Sequence, residues 1–182
     1  NISHFAEFDV EGPDAADLLE YICVAKVGGD TPVGKGIYTH FLDAKGGVRA
    51  DLTVLRLAQD HYRVIDGADA GHRDLTWVRR MAQDRGANVK VTDTTTQYGG
   101  LGVWGPNARA TIQKIADDPA AWSPENFPFA AIRELKIAGV PVLAFRISYV
   151  GEQGWELHFK YDDGLALWDA LYAAGVTPVG VE

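Results

Sequence analysis

Residues 37 to 67 read IYTHFLDAKGGVRADLTVLRLAQDHYRVIDG, and this stretch decides the fold class. Three runs rich in β-branched and aromatic residues follow one another, separated only by short breaks at Lys45–Gly47 and Gln59–Asp60. Connections this short join antiparallel strands, because a parallel pair needs a crossover of about a dozen residues or more. The stretch therefore predicts an antiparallel meander of three strands.

On both sides of this meander the pattern alternates between strand and helix. Residues 4 to 10 predict a strand, and GPDAADLLEYI after it predicts a helix. A second helix is predicted from Asp69, as its N-cap, to a C-terminal Gly86. The Gly/Pro-rich segment 27–36 predicts an exposed loop.

The second half of the chain repeats the first motif. GPNARATIQKIA mirrors the earlier Gly-Pro helix start and again follows a predicted strand, GGLGVWG. A hairpin with its turn at Ala138–Gly139, the strand GWELHFKY and a final helix over about 163–174 complete the pattern. We therefore expect an α+β fold with antiparallel or mixed sheets, helices packed on one face, and two related strand–helix units.

Length and composition favour a single globular domain over residues 1 to 182, and two small domains are the alternative compatible with this length. Hydrophobic residues make up 47% and charged residues 23%, which is ordinary for a globular protein and argues against disorder. The net charge is −8, and the densest basic spot is Arg79–Arg80. Because binding to phosphate groups needs clustered cations, we expect neither nucleic acid nor an anionic membrane as a partner.

Cysteine and histidine usage argues against a metal site. The single cysteine, Cys23, lies in an apolar segment, so a buried hydrophobic role is favoured over a catalytic thiol. The five histidines show no metal-ligand spacing. No apolar run approaches the roughly 20 residues that span a bilayer, so we expect a cytoplasmic protein, or a mitochondrial matrix protein in a eukaryote. The lack of an initial Met and the strand-like start indicate a piece of a longer protein.

Asp51 is the most unusual residue of the predicted strands, because aspartate is depleted from strand interiors. Alternation places it on the face of Arg49, Thr53 and Leu55, opposite Val48, Ala50, Leu52 and Val54. If that face is solvated, Asp51 is a surface residue; if it lines a cavity, the carboxyl suits proton transfer or stabilisation of a developing cation. The hairpin turn would bring Tyr38 within one or two residue pairs of Asp51.

The segment SYVGEQGWEL, residues 148 to 157, contains the other candidate residues. A turn over Gly151–Gly154 would place Tyr149 and Glu156 near opposite ends of a tight connection, where both could contact one ligand. Glu152 lies between the glycines and is expected at the turn surface. Glu156 interrupts an apolar strand, but alternation alone also lets it face solvent.

Four separated motifs resemble one protein family. YTHFLDAKGGVRADLTVLRL, LGVWGPNAR, FPFAAIREL and FRISYVGEQGWELHF together are similar to the aminomethyltransferase family, which includes the T protein of the glycine cleavage system. The sequences of these motifs are most similar to the folate-binding part of dimethylglycine oxidase and of the dimethylglycine and sarcosine dehydrogenases. The resemblance runs in register over nearly all 182 residues.

This resemblance implies four site residues and a cofactor. It implies that Asp51 lies near the 10-nitrogen of tetrahydrofolate and assists one-carbon transfer as acid, base or electrostatic partner, with Tyr38 beside it. It also implies that Glu156 binds the pterin ring, together with Tyr149. An ionised carboxylate can accept two neighbouring pterin N–H donors side by side.

The implied enzyme has two parts. An FAD domain oxidises an N-methyl amine, and the folate domain captures the one-carbon unit as 5,10-methylene-tetrahydrofolate. The FAD part is absent from this sequence, as is the barrel expected after Val181–Glu182, so we expect weak or no folate binding and no oxidase activity from this piece alone. A stand-alone folate-dependent transferase and a non-catalytic regulatory module of the same fold are the alternatives. The amine and the oligomeric state stay open.

Overall fold

The computed structural model describes residues 1 to 180 and divides into two compact units. One unit is Phe5–Thr95; the other combines residues 1–4 with the chain from Thr96 onward. The strands are β1 (Ala6–Glu11), β2 (Lys35–Leu42), β3 (Val48–Ala58), β4 (His61–Asp66), β5 (Lys90–Asp93), β6 (Tyr98–Trp104), β7 (Ile132–Ile137), β8 (Val140–Phe145) and β9 (Gly154–Lys160). The helices are α1 (Ala15–Ile22), α2 (Gly71–Arg85), α3 (Ala108–Gln113) and α4 (Gly164–Ala173).

The unit Phe5–Thr95 is a five-stranded antiparallel sheet with two helices on one face. Its strand order is β2-β3-β4-β1-β5, and the predicted meander is confirmed as β2, β3 and β4. Apolar side chains of α1 and α2 share one core with alternate residues of the sheet. The large buried members of this core include Phe8, Leu19, Phe41, Tyr62 and Val78.

The other unit is a four-stranded antiparallel sheet in the order β6-β9-β8-β7. The predicted hairpin is confirmed, because β7 and β8 are joined by Ala138 and Gly139, both with positive φ. Its core contains three aromatic rings, of Trp122, Phe127 and Trp155, whose centroids lie 5.4 to 5.7 Å apart. Side chains of α3 and α4 pack on the same core.

Both units have the same connectivity, which confirms the two related strand–helix units. In each, a strand leads to a helix, a hairpin and a strand that pairs with the first, followed by a second helix. The first helix of each unit follows a Gly-Pro pair in which the glycine has positive φ, 138° at Gly12 and 128° at Gly105. The backbone of Asn88 also leaves no room for a Cβ at Gly12. The α+β fold class is therefore confirmed.

Three local expectations are wrong. The N-cap of α2 is Ala70, not Asp69. The segment 27–36 is not exposed throughout, because Val27 and Thr31 are buried. A β-bulge at Phe41/Leu42 shifts the register, so that the Arg49 guanidinium stacks on Trp77 of α2 instead of sharing the face of Asp51.

Two further expectations concern the chain as a whole. A single folate-binding domain over residues 1 to 182 stays a prediction. Within residues 1 to 180, the structure contains no helix long and apolar enough to cross a membrane. Val181 and Glu182, after which we expected a further barrel, lie outside the described residues.

Candidate active site

Asp51 and Tyr38 form a hydrogen-bonded pair on one face of the β2–β3 hairpin. The phenol Oη of Tyr38 donates to Oδ2 of Asp51 across 2.7 Å. Antiparallel register pairs Tyr38 with Thr53 and His40 with Asp51, so Tyr38 reaches the carboxylate diagonally. The hydrogen bond to Asp51 raises the pKa of Tyr38 above its usual value, because it stabilises the protonated phenol. The predicted proximity of these residues is confirmed.

This pair is accessible, although both residues lie on a regular strand. Tyr38 is 56% exposed and Asp51 is also exposed, while Leu52 on the opposite face of β3 is buried in the core. The face of Asp51 is therefore exposed to solvent in this structure. This agrees with the first of the two alternatives in the sequence analysis, in which that face is solvated. An open carboxylate that already holds a hydroxyl donor can still accept bonds from a ligand.

His40 belongs to the same cluster, and sequence reasoning missed it. It lies directly opposite Asp51 in the sheet, and its ring packs edge-on against Tyr38 with centroids 5.4 Å apart. The hairpin register could have identified His40, because residues 38 and 40 lie on the same face of the strand. The scattered distribution of histidines along the chain concealed it.

Glu156 lies in β9 on the sheet face opposite the aromatic core. Its neighbours Trp155 and Leu157 are fully buried, whereas the Glu156 side chain keeps 13% of its surface exposed. Nε2 of the buried His158 lies 3.7 Å from its Oε2. The carboxylate is thus held in a partly buried, polar position, which is the kind of site where it can bind N–H donors.

Trp104 covers the sheet beside Glu156, and this residue was also missed. Gly102 lies opposite Glu156 in the register, and a Cβ added at Gly102 or Gly154 would meet Trp104 at 2.4 to 2.5 Å. Gly102 therefore allows close packing and makes space for an indole ring. Trp104 Nε1 is buried without a hydrogen-bond partner among the described residues.

Tyr149 and Glu152 lie in the connection before β9. The register pairs Phe145 with Glu156, so the connection spans residues 146 to 153 and is longer than the tight turn expected. Tyr149 is 89% exposed and lies in a turn closed by Gly151, while Glu152 is exposed, as predicted for a turn residue. Tyr149 and Glu156 belong to one unit, and Tyr38 and Asp51 belong to the other.

Other reactive groups do not add to the site. Burial raises the pKa of the Cys23 thiol to about 12, and the Glu20 charge adds to the effect. Cys23 thus has the inert, buried role predicted for it. Among residues 1 to 180, no three His, Cys, Asp or Glu side chains come together in a group that could hold a metal ion.

Comparison with known proteins gives a consistent family. The family model described as the GCVT N-terminal domain matches residues 1 to 182. Human mitochondrial dimethylglycine dehydrogenase is 35% identical over 175 residues, covering 96% of this chain and 20% of that protein. Human mitochondrial sarcosine dehydrogenase is 33% identical over 189 residues, with the same coverage. The chain thus spans about a fifth of the length of these relatives.

A solved structure shares the fold. The glycine cleavage system aminomethyltransferase T from Bartonella henselae superimposes with a TM-score of 0.79 over 93% of this chain and 44% of that chain. Sequence identity in this comparison is 24%, so the match supports the architecture alone.

Proposed function

The chain belongs to the family of the GCVT N-terminal domain, and from this membership we propose that it binds tetrahydrofolate and transfers a one-carbon unit. The unit comes from an N-methyl amine of the dimethylglycine or sarcosine type, and the product is 5,10-methylene-tetrahydrofolate. The observation that carries the proposal is the 2.7 Å hydrogen bond between Tyr38 and Asp51, which presents an acid on an accessible strand face.

Asp51 is the reacting acid of this proposal. Tetrahydrofolate supplies the two amine nitrogens that carry the one-carbon unit. The Asp51 carboxylate can take a proton from such a nitrogen, return it, or stabilise a positive charge next to it. Tyr38 orients the carboxylate through its hydroxyl and leaves the other oxygen available for a ligand.

Glu156 and Trp104 support pterin binding. The Glu156 carboxylate can accept two adjacent N–H donors of a pterin edge, and its low exposure strengthens such charge-assisted hydrogen bonds. The Trp104 indole beside it offers an apolar surface to a flat heterocycle. Tyr149 is free to pack against the ligand, because most of its side chain is exposed.

The relatives favour a flavoenzyme context over a stand-alone transferase. The identity of 33–35% is to two amine dehydrogenases, whose length is about five times the matched segment. We infer that FAD binds to a part of the parent protein outside this sequence and that this chain alone has no oxidase activity. The mitochondrial relatives support a location in the mitochondrial matrix if the protein is eukaryotic. For a bacterial protein we propose the cytoplasm.

Calorimetric titration with tetrahydrofolate tests the proposal. We expect binding by the full-length parent protein, and its loss when that protein carries the Asp51→Ala/Glu156→Ala double substitution. The matched control is Asp60→Ala/Glu134→Ala, which removes one exposed acid from each unit away from the candidate residues. Full binding by the first double variant would refute the site, and no binding by the parent protein would refute the function.

A further inference from the structure

Two acidic side chains are buried together between β4 and α2, outside the site described above. Asp66 ends β4 and is 3% exposed; Asp74 lies in the first turn of α2 and is fully buried. Both lie on the core side of the sheet, because Asp66 is opposite Ala6 and Leu52 in the register. Two carboxylates at such depth cannot both stay ionised at low cost.

The two carboxyls differ in their hydrogen bonds. Asp74 accepts from both Nε and Nη2 of Arg73, at 2.9 and 2.7 Å. Asp66 accepts one bond, from the Gly67 N–H at 2.8 Å, while its Oδ2 is buried and no N–H or O–H of the described residues donates to it. The charge and hydrogen-bonding capacity of the Asp74 carboxyl raise the pKa of Asp66, so a proton on Asp66 relieves the repulsion between the two acids.

Burial and the neighbouring charge agree with this arrangement. Burial is the main reason that the pKa of Asp66 rises to about 7, and the negative Asp74 adds to it, while Arg73 opposes it. The other charged groups nearby are directed elsewhere. Arg49 of β3 stacks on Trp77, 4.8 Å from the ring centroid, and Glu7 of β1 lies on the opposite sheet face, 3.5 Å from Arg63.

The same cluster is connected to the strand that carries Asp51. Nη2 of Arg73 donates to the Arg49 carbonyl at 2.8 Å, two residues before Asp51. Together with the stacking of Arg49 on Trp77, this bond ties β3 to α2 at two points next to the bulge. A bulge locally disrupts the strand ladder, so this attachment adds a restraint to the backbone that leads to Asp51.

We propose that Asp66, Asp74 and Arg73 form a clamp that positions Asp51, and that the clamp loosens when Asp66 loses its proton. The three are positioning residues that act through β3, and their effect on ligand binding rests on the function proposed for Asp51. With Asp66 ionised, two buried carboxylates repel each other and compete for Arg73, which weakens the bond to the Arg49 carbonyl.

Nuclear magnetic resonance tests the clamp without any ligand. In proteins that all carry His40→Gln, because the His40 imidazole lies opposite Asp51, we expect the backbone amide signals of residues 49 to 52 to shift with pH around neutrality. They should stay constant when Asp66→Asn is added, because its amide N–H₂ replaces the donated proton. The matched control is Asp84→Asn, which removes an exposed acid from the same helix, 3.6 Å from Arg80. The control should titrate like the parent.

A binding series then tests the connection to function. We expect tetrahydrofolate affinity to fall by about fivefold or more between pH 6 and pH 8 in the parent and Asp84→Asn proteins, and to lose this dependence in Asp66→Asn. Constant amide shifts in the parent, or titration that persists in Asp66→Asn, overturn the clamp. Titrating amides with no tetrahydrofolate binding at any pH would instead refute the proposed function and leave the clamp supported.

Discussion

At the scale of single residues, the hydroxyl of Tyr38 determines how the Asp51 carboxylate is presented. Tyr38→Phe removes only this oxygen, so we expect tetrahydrofolate to bind roughly fivefold more weakly, the equivalent of about 1 kcal/mol for one hydrogen bond. The free energy of unfolding should change by less than about 0.5 kcal/mol, because the side chain is exposed. Calorimetry and urea denaturation measure the two effects.

The pH range of this effect follows from the same hydrogen bond. Since Asp51 raises the pKa of Tyr38 above 10.0, the phenol keeps its proton and donates throughout neutral and mildly alkaline conditions. Tyr161→Phe is the matched control, because Tyr161 is 66% exposed and belongs to the other unit. Equal affinities of the two variants would contradict the role given to Tyr38.

Cys23 provides a residue-scale test of the core. With a pKa of about 12 and 9% exposure, the thiol should not react with a disulfide reagent at pH 8 in the folded protein. In guanidinium chloride one thiol per chain should react at once, because Cys23 is the only cysteine. Rapid labelling without denaturant would show that the unit Phe5–Thr95 opens at the C-terminal end of α1, where Cys23 lies.

At the scale of elements, Arg56 holds the loop between α1 and β2. This side chain is 3% exposed and donates to backbone carbonyls, not to a carboxylate. Its acceptors are the carbonyls of Gly28, Gly29, Thr31 and Gln59. Arg56→Met keeps the apolar stem but removes the guanidinium donors to these four carbonyls, two of which belong to the buried residues Gly28 and Thr31.

We therefore expect Arg56→Met to lower the free energy of unfolding by about 3 kcal/mol and to make the loop sensitive to protease. Arg80→Met is the control, because the Arg80 side chain is 75% exposed and its partner Asp84 is 3.6 Å away. Urea denaturation gives the stability, and limited proteolysis followed by mass spectrometry locates the cleavage. An equal loss of unfolding free energy in both variants would refute the role of Arg56.

The elements also show which parts of the structure can be predicted from sequence. The hairpins at Lys45–Gly47 and Ala138–Gly139 were predictable, because turn residues and strand patterns are local signals. The contact between Tyr38 and Asp51 followed from the first hairpin by counting residues back from the turn. In these cases short-range chemistry determines the structure.

Other features depend on packing and could not be predicted in this way. The bulge at Phe41/Leu42 moves Arg49 onto Trp77, although simple alternation places it with Asp51. The burial of Arg56 and of Asp66 depends on residues far away in the sequence. Nothing in a single sequence distinguishes a buried acid at the end of a strand from an exposed one.

At the scale of the whole molecule, three groups with shifted pKa values, Asp9, His61 and Asp66, contribute to how stability depends on pH. Asp9 is buried, which raises its pKa, but hydrogen bonds from His61 and Arg63 outweigh this and lower it below 3.8. Bonding to Asp9 in turn raises the pKa of His61 above 6.5. Asp9 therefore contributes stability above pH 3.8 that is lost as the pH falls, and His61 contributes stability below pH 6.5 that is lost as the pH rises.

Asp66, like His61, makes the folded protein less stable as the pH rises. Its folded pKa of about 7 lies above the ordinary value of 3.8, so the folded state binds more protons than the unfolded state between these limits, and stability falls as the pH rises through them. One such group changes the free energy of unfolding by at most about 1.4 kcal/mol per pH unit. Since the Asp66 contribution declines above pH 3.8 and the Asp9 contribution declines below it, we expect the highest melting temperature at about pH 4 and a lower one at pH 8. Differential scanning calorimetry measures this decline of the melting temperature with pH. Asp66→Asn should remove most of the decline, and His61→Gln should remove a smaller part. A melting temperature that falls with pH as steeply in Asp66→Asn as in the unmodified protein would contradict a proton on Asp66.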